Sequence, residues 1–489
     1  MRRAALLVVL ALVFAGSAAA AAIQGTARND VLVGSPTADR IDARGGNDRI
    51  MAAFGGRDRV SCGPGRDLAV ADGADRVDAD CETVVRRISV DPFVDLTGQH
   101  ETAVEPSSVA FGSTVVATFQ VGRFPDGGAS GTGFAVSRDA GRTWRQGILP
   151  GLGRSSDPVV AYDAVHATWL ITALAIVPRQ VSVVVSRSAD GLHWSAPLTA
   201  HPGPDLDKEW LACDNNAASP FHGRCYLVFT DIGGHRILLE SSDDGGVTWS
   251  APVRVSSELI GVQPLIRPDG SLVVLAIDVD RSSGFVVTAR STNGGASFET
   301  ARRISDLQFR SLSPLRSFPL PSATAAPDGT LYAAWHDCRF RSGCAHHDIV
   351  LSRSTDGVSW SLPQRLPLVP AGSDVDAFLP GLGVDPADPS RLGLVYGFFR
   401  AGTCTRGACQ LEFGFASSRD RGQTWSVPLR LDAIPMPLTW LPTTGDGRMA
   451  GDYFSVSFAA GRAVPVFALA APPRGGRYRE GIFAAPLPG

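Results

Sequence analysis

"SRDAGRTW", Ser137 to Trp144, returns along the chain as "SSDDGGVTW" ending at Trp249 and as "SSRDRGQTW" ending at Trp425. Shortened copies, "SADGLHW" ending at Trp194 and "STDGVSW" ending at Trp360, and the variant "STNGGASF" ending at Phe298, bring the set to six. Ser and Asp suit a turn that hydrogen-bonds its own backbone, Gly supplies a positive φ, and the indole gives the turn an apolar foot. From about Arg86 onward, short segments rich in Val, Leu, Phe and Ala alternate with Gly, Pro, Asp and Ser, and no helical period appears. Copies about 50 to 65 residues apart fit one four-stranded sheet each, so a large all-β domain is expected.

Each copy is preceded by a segment that reads as an inner strand and its neighbour, such as "SDPVVAYDAVHATWLITAL" and "DKEWLACDNNAASPFHGRCYLVFTD"; one more, "GDYFSVSFAAGRAVPVFALA", follows the last copy. The repeated turn resembles the Asp-box of the sialidase superfamily, over roughly Ile88 to Ala485. That resemblance implies a β-propeller of sialidase type, with the box joining the third and fourth strands of each blade on the side away from the active site. Seven inner segments for six boxes favour seven blades over six, the last closed by "ISVDPFVD" from the start of the domain. Sialidases have six, so their active site does not transfer directly.

The chain begins Met1-Arg2-Arg3, continues "AALLVVLALVFAG" and reaches a run of alanines up to Ala22, in the order of a secretory signal peptide. The apolar run is too short to span a bilayer, and no later segment approaches about 18 uninterrupted apolar residues. A secreted, extracellular protein of three parts is expected: signal peptide 1–22, repeat region 23–86 and sheet domain 87–489. Its formal net charge of −3 supplies no basic footprint for nucleic acid. Export makes the eight cysteines informative. They fall as close neighbours, so four local bridges are expected: Cys62 with Cys81, Cys213 with Cys225, Cys338 with Cys344 and Cys404 with Cys409.

Between residues 23 and 86, Asp30, Asp39, Asp48, Asp58, Asp67 and Asp75 recur about every nine residues, each followed two positions later by Leu32, Ile41, Ile50, Val60, Ala69 or Val77. Inward aliphatics at this period describe a small parallel β-roll whose Gly-rich turns bring carbonyls and Asp carboxylates onto calcium. The stretch resembles the hemolysin-type calcium-binding repeat, most nearly at "GGND" and "GGRD". Two nonapeptides make one turn, so Cys62 and Cys81 stack on adjacent rungs, about 4.8 Å apart, within disulfide reach.

In the sheet domain, chemistry is expected at the starts of inner strands and in the loops after second strands. Glu105, Asp157, Asp207, Lys208, Glu209, Asp452 and Tyr453 stand at the former; Arg123, Arg339 and Arg400 stand in the latter. Lys208 is the only lysine in the chain, held between carboxylates in "DKEW". Sialidases bind a carboxylate with three arginines and attack with a tyrosine assisted by a glutamate. By that resemblance Tyr453 and Glu209, with Asp157 or Asp126 as the acid, are the expected catalytic residues and Arg123, Arg339 and Arg400 the expected substrate contacts, to which the lone Lys208 is added on its own chemistry. Two functions follow as expectations: a glycan- or glycoprotein-binding or scaffold protein without turnover, and an exo-acting glycoside hydrolase of the exo-α-sialidase kind.

Overall fold

Backbone pairing in the amino-terminal part is parallel. Ala22–Gln24, Arg40–Asp42, Arg59–Ser61 and Arg76–Val77 form one ladder, and Val31–Val33, Arg49–Met51 and Leu68–Ala71 form another. The computed structural model describes residues 20–95, 97–257, 259–279, 283–400 and 409–489, and the chain divides into two units, Met1–Glu82 and Thr83–Gly489. In the first unit the register stacks Ile23, Ile41, Val60 and Val77 in one column and Leu32, Ile50 and Ala69 in the other. Ile41, Ile50, Val60 and Ala69 are buried, so the nonapeptide period places the core as expected. The result is a β-solenoid of about four turns. Its tight corners need glycine: a β-carbon at Gly63, where φ is 81°, would collide with the Arg44 carbonyl. Cys62 and Cys81 are bridged across adjacent rungs, with a Cα separation of 5.2 Å.

The second unit consists of antiparallel four-stranded meanders. The first runs through Gln99–Phe111, Thr114–Arg123, Ala129–Ser137 and Arg145–Ile148; the second through Ser155–Asp163, Thr168–Val177, Gln180–Ser188 and Leu198–Gly203. The third starts at Leu206–Cys213, the fourth at Ile260–Ile266, the fifth at Ser322–Ala325 and the sixth at Asp376–Asp385. A last sheet pairs Ser455–Ala459, Arg462–Ala470 and Glu480–Ala484 with Thr83–Arg87. Apolar clusters fill the space between neighbouring meanders, for example Val116, Phe134 and Trp169 between the first and second.

The expectation of a sialidase-type β-propeller with seven or six blades is corrected to an all-β chain with a β-solenoid of about four turns and antiparallel meanders. Two details carry the correction. The first two meanders are not separate blades: Ala129 pairs with Ser155 and joins them into one sheet. "ISVDPFVD" forms no strand, because Thr83–Arg87, just upstream, takes the place next to Glu480–Ala484, and only the Ile88 N–H continues the pairing, at 2.7 Å from the Ile482 carbonyl.

All six repeated turns connect a third strand to a fourth. In the first copy Asp139 accepts from the N–H groups of Arg142 and Thr143 and from the Thr143 hydroxyl, Ser137 Oγ accepts from Gly141 N–H, and the Trp144 indole donates to the Gly141 carbonyl. The closing aromatic then packs into the core between its own meander and the preceding one: Trp194, Trp249, Phe298, Trp360 and Trp425 each do so. Among the described residues no helix is long and apolar enough to cross a membrane. The predicted signal peptide falls mostly on residues 1–19, outside the described residues.

Candidate functional site

The first strands of five of the six meanders share an irregularity. Register shifts occur opposite Glu105, Asp157, Lys208, Gly261 and Leu379, and all five have positive φ, between 46° and 69°. A bulge of this kind re-aims a side chain. On the first three strands the re-aimed residue is charged, and the last strand delivers Asp452 and Tyr453 next to them. Gly451 makes that approach possible: its φ is 147°, and a β-carbon there would stand 3.0 Å from the Glu105 nitrogen. Ser108 Oγ lies 2.9 Å from Ser455 Oγ and 2.7 Å from Ser457 Oγ, fixing the first and last strands side by side.

Lys208 is the centre of the assembly. Its ammonium sits 3.4 Å from the centroid of the Tyr453 ring, 4.9 Å from that of Trp210 and 3.8 Å from Asp157 Oδ1. Trp210 meets Tyr453 edge-on at 5.4 Å. Asp157 accepts from Ser156 Oγ at 2.8 Å, Gln120 donates to Glu105 and to Ser156 Oγ, and Arg123 donates to the Gln120 side-chain oxygen at 3.1 Å. Arg316 holds Asp452 through two nitrogens, at 2.8 and 2.5 Å. Among the described residues, Lys208 Nζ and both carboxylate oxygens of the fully buried Glu209 meet no hydrogen-bonding partner.

Burial sets the protonation of this group. It pushes Glu209 and Glu105 well above the usual carboxylate range, with the charge of Asp157 adding to the effect on both. Asp207 is raised to about 6 by burial and then by Asp157. Asp452 is equally buried, yet Arg316 overcomes the burial penalty and holds it below its ordinary value. Burial raises the Tyr453 phenol, and the surrounding carboxylates raise it further, so it stays a neutral donor. Two acids pushed toward their protonated forms therefore share a site with one held toward its ionised form.

Of the residues expected from sequence, Tyr453, Glu209, Asp157, Lys208 and Arg123 belong to this group, while Arg339 and Arg400 do not. Arg339 is bound to Asp337 at 2.7 Å and donates to Ser305 Oγ and the Asp306 carbonyl. Arg400 pairs with Glu412 at 2.8 Å. The three-arginine carboxylate clamp of a sialidase is thus not assembled from the expected arginines. Arg316, Trp210 and Gln120 were not expected. Arg316 lies in the irregular segment before Ser322, where no repeat marks a position. Trp210 and Gln120 carried only the signal of lying on strands that also bear charged candidates. The Cys213–Cys225 and Cys338–Cys344 bridges are present; Cys404 lies outside the described residues.

In the solenoid the six aspartates form two ladders. Asp30 N–H donates to Asp48 Oδ1 and Asp48 N–H to Asp67 Oδ1, both at 2.7 Å; Asp39 N–H donates to Asp58 Oδ1 at 2.7 Å and Asp58 N–H to Asp75 Oδ1 at 3.0 Å. Among the described residues no three His, Cys, Asp or Glu side chains gather as a metal cluster. The donor set is instead a carboxylate with backbone carbonyls, the hard oxygen set that suits calcium. Asp48, Asp58 and Asp67 each keep a buried Oδ2 that meets no donor, so these residues fit the ion.

Residues 24–57 match the family described as RTX calcium-binding nonapeptide repeat, in four copies. No curated protein matches the chain. Among solved structures, a protein of unknown function from Dyadobacter fermentans is 18% identical, with 68% of this chain and 99% of that one covered and a TM-score of 0.44. An ulvan lyase, described as a polysaccharide lyase, is 11% identical over 80% of this chain and 96% of its own, with a TM-score of 0.49. A Hadza microbial sialidase is 17% identical over 80% of this chain and 66% of its own, with a TM-score of 0.40.

Proposed function

We propose that the second unit binds a hydroxyl-rich glycan at the group centred on Lys208, and that the solenoid binds calcium, in a protein that works outside the cell. The observation that carries the glycan reading is the Lys208 ammonium, which lies between Tyr453, Trp210 and Asp157 and has no hydrogen-bond partner among the described residues. Sugar hydroxyls both donate and accept, so they suit a patch that mixes carboxylates with cations. Trp210 and Asp207, only partly buried, offer an aromatic face and an acceptor to a ligand. With Glu105 and Glu209 pushed toward their protonated forms, Asp157, Asp207 and Asp452 face three cations, Arg123, Lys208 and Arg316. That balance favours a neutral glycan over the anionic one a sialidase takes.

A second reading, hydrolysis, is favoured by the contrast between Glu209, which burial pushes toward its protonated form, and Asp452, which Arg316 holds toward its ionised form. Glycoside hydrolysis needs one carboxylic acid to protonate the leaving oxygen and one carboxylate to act on the opposite side. In that reading Glu209 is the proton donor. A glycan array probed with the full chain is expected to show a neutral ligand that is lost in Trp210→Ala and Asp207→Asn. Release of aryl alcohol from neutral glycosides, abolished by Glu209→Gln, marks turnover. An array without any ligand, together with no turnover, removes the glycan reading.

The solenoid supports the calcium reading through its oxygen donors, and the three disulfides among the described residues suit an oxidising compartment. Calcium is expected to raise the melting temperature of the full chain, as any ligand of the native state does.

A further inference from the structure

We infer that the cation-binding turns of the solenoid are those ending at Asp48, Asp58 and Asp67, and that the turns ending at Asp30, Asp39 and Asp75 carry no ion. This rests on the calcium reading of the solenoid and goes beyond the repeat match. That match, over residues 24–57, takes in Asp30 and Asp39 and stops short of Asp58 and Asp67.

The distinction lies in what each carboxylate already holds. All six sit on the same two ladders, and five of the six lend Oδ1 to a backbone N–H one turn away. They differ at the second oxygen. Asp30 Oδ2 accepts from the N–H and hydroxyl of Thr26, at 2.6 and 2.9 Å. Asp39 accepts the N–H and hydroxyl of Ser35, at 2.5 and 2.9 Å. Asp75 Oδ2 accepts from Asp72 N–H at 2.8 Å. In these turns the chain supplies its own donors, and a cation would have to displace them.

The other three turns read Gly45-Gly46-Asn47-Asp48, Gly55-Gly56-Arg57-Asp58 and Gly63-Pro64-Gly65-Arg66-Asp67. Arg44, Phe54 and Gly63 stand four residues before these aspartates, where Thr26 and Ser35 stand before Asp30 and Asp39, so no hydroxyl is placed to reach the carboxylate. Asp48, Asp58 and Asp67 are at most 2% exposed, and each Oδ2 is left dry without a donor. Around Asp58 the glycines open an oxygen-lined gap: the point where a Gly55 β-carbon would stand is 2.8 Å from the Ser35 carbonyl, 3.1 Å from that of Ala52 and 3.1 Å from Asp58 Oδ2. At Gly65 the same point meets the Gly46 carbonyl and, at 3.1 Å, Asp67 Oδ1. A buried ionised oxygen without a partner is costly, and a hard cation sharing it with carbonyls removes that cost.

The test is calcium stoichiometry of the full chain, by titration calorimetry and native mass spectrometry with calcium chloride as the sole added ligand. Three ions are expected for the unaltered protein, two for Asp67→Asn, and three for Asp30→Asn and for Asp39→Asn. Asparagine keeps the Oδ1 acceptor of the ladder, so Asp67→Asn retains its rung bond. An unchanged count in Asp67→Asn, or an ion lost in Asp39→Asn, overturns the assignment of turns while leaving calcium binding intact. No uptake by the folded, unaltered chain overturns the calcium reading itself.

Discussion

In the solenoid, Asp58 gives one oxygen to the backbone of Asp39, a residue 19 positions away, and keeps the other dry. In the third meander's turn, Asp244 gives both oxygens to Thr248, four positions away and in reach of water. The same side chain therefore titrates in opposite directions. Burial, the largest influence on Asp58, raises it to about 6, and the Asp39 N–H offsets only part of this. At Asp244 burial also acts upward, but the hydroxyl and N–H of Thr248 outweigh it and bring the group down to about 2. A carboxylate's role follows from its supply of donors against its loss of water, and not from the motif's count of aspartates.

The harshest way to probe the contrast is to cut the long-range unit's covalent tie. Replacing Cys62 and Cys81 together by Ser frees a loop of 19 residues and is expected to destabilise the solenoid by about 3 kcal/mol. The box turns close locally and are expected to keep their amide protection in hydrogen exchange. A loss well under about 1 kcal/mol in denaturant unfolding would show that the aspartate ladders hold the coil without the bridge.

A milder probe compares the two aspartates directly. Asp58→Ala leaves the Asp39 N–H buried without an acceptor and is expected to cost about 1–3 kcal/mol. Asp244→Ala strands donors that water can reach, for about 0.5–1.5 kcal/mol. Asp244→Asn is expected to be close to neutral, because the chain already contains that experiment. In "STNGGASF", Asn293 accepts from Ser297 N–H at 3.0 Å and donates to Ser297 Oγ at 2.7 Å. Equal losses for the two alanine variants in thermal unfolding would erase the contrast between ladder and turn.

What the sequence disclosed follows the same division. The box turns and the bridges at 62–81, 213–225 and 338–344 were legible because each is complete within a short stretch or one solenoid turn. Glu105, Asp157, Asp207, Lys208, Glu209, Asp452 and Tyr453 were legible because they stand near the starts of inner segments, and Arg123 because it stands at the end of a second strand. Arg339 and Arg400 misled for the complementary reason. Their loop positions suggested free guanidinium groups, but Asp337 lies two residues from Arg339, and Glu412 on the next strand takes Arg400. Arg316 and the closing strand Thr83–Arg87 were hidden because both are fixed by pairings distant in sequence, with Asp452 and with Glu480–Ala484. The expectation of a propeller drew its force from the repeated turns, which specify how a third strand meets a fourth and leave the joining of sheets to contacts such as that of Ala129 with Ser155.

The smallest expected effect is the most specific one. Asp244 and Asp420 are each held at about 2, below the ordinary 3.8, Asp420 chiefly through the Thr424 hydroxyl and N–H. A lowered carboxylate contributes stability that is full above its ordinary value and is lost as pH falls through the folded one. The box turns are therefore expected to hold down to about pH 4 and to loosen between about pH 4 and 2. Asn293 has no such proton to gain, so its turn is expected to be indifferent over the same range. Hydrogen exchange of the Thr248, Thr424 and Ser297 amides, corrected for the intrinsic rate at each pH, reads the three turns side by side in one molecule. Protection falling at Thr248 and Thr424 but steady at Ser297 assigns the acid sensitivity to the turn carboxylates. A parallel fall at Ser297 would place it in the sheets that all three turns share, and the opposition between dry ladder and wet turn would then have no bearing on acid stability.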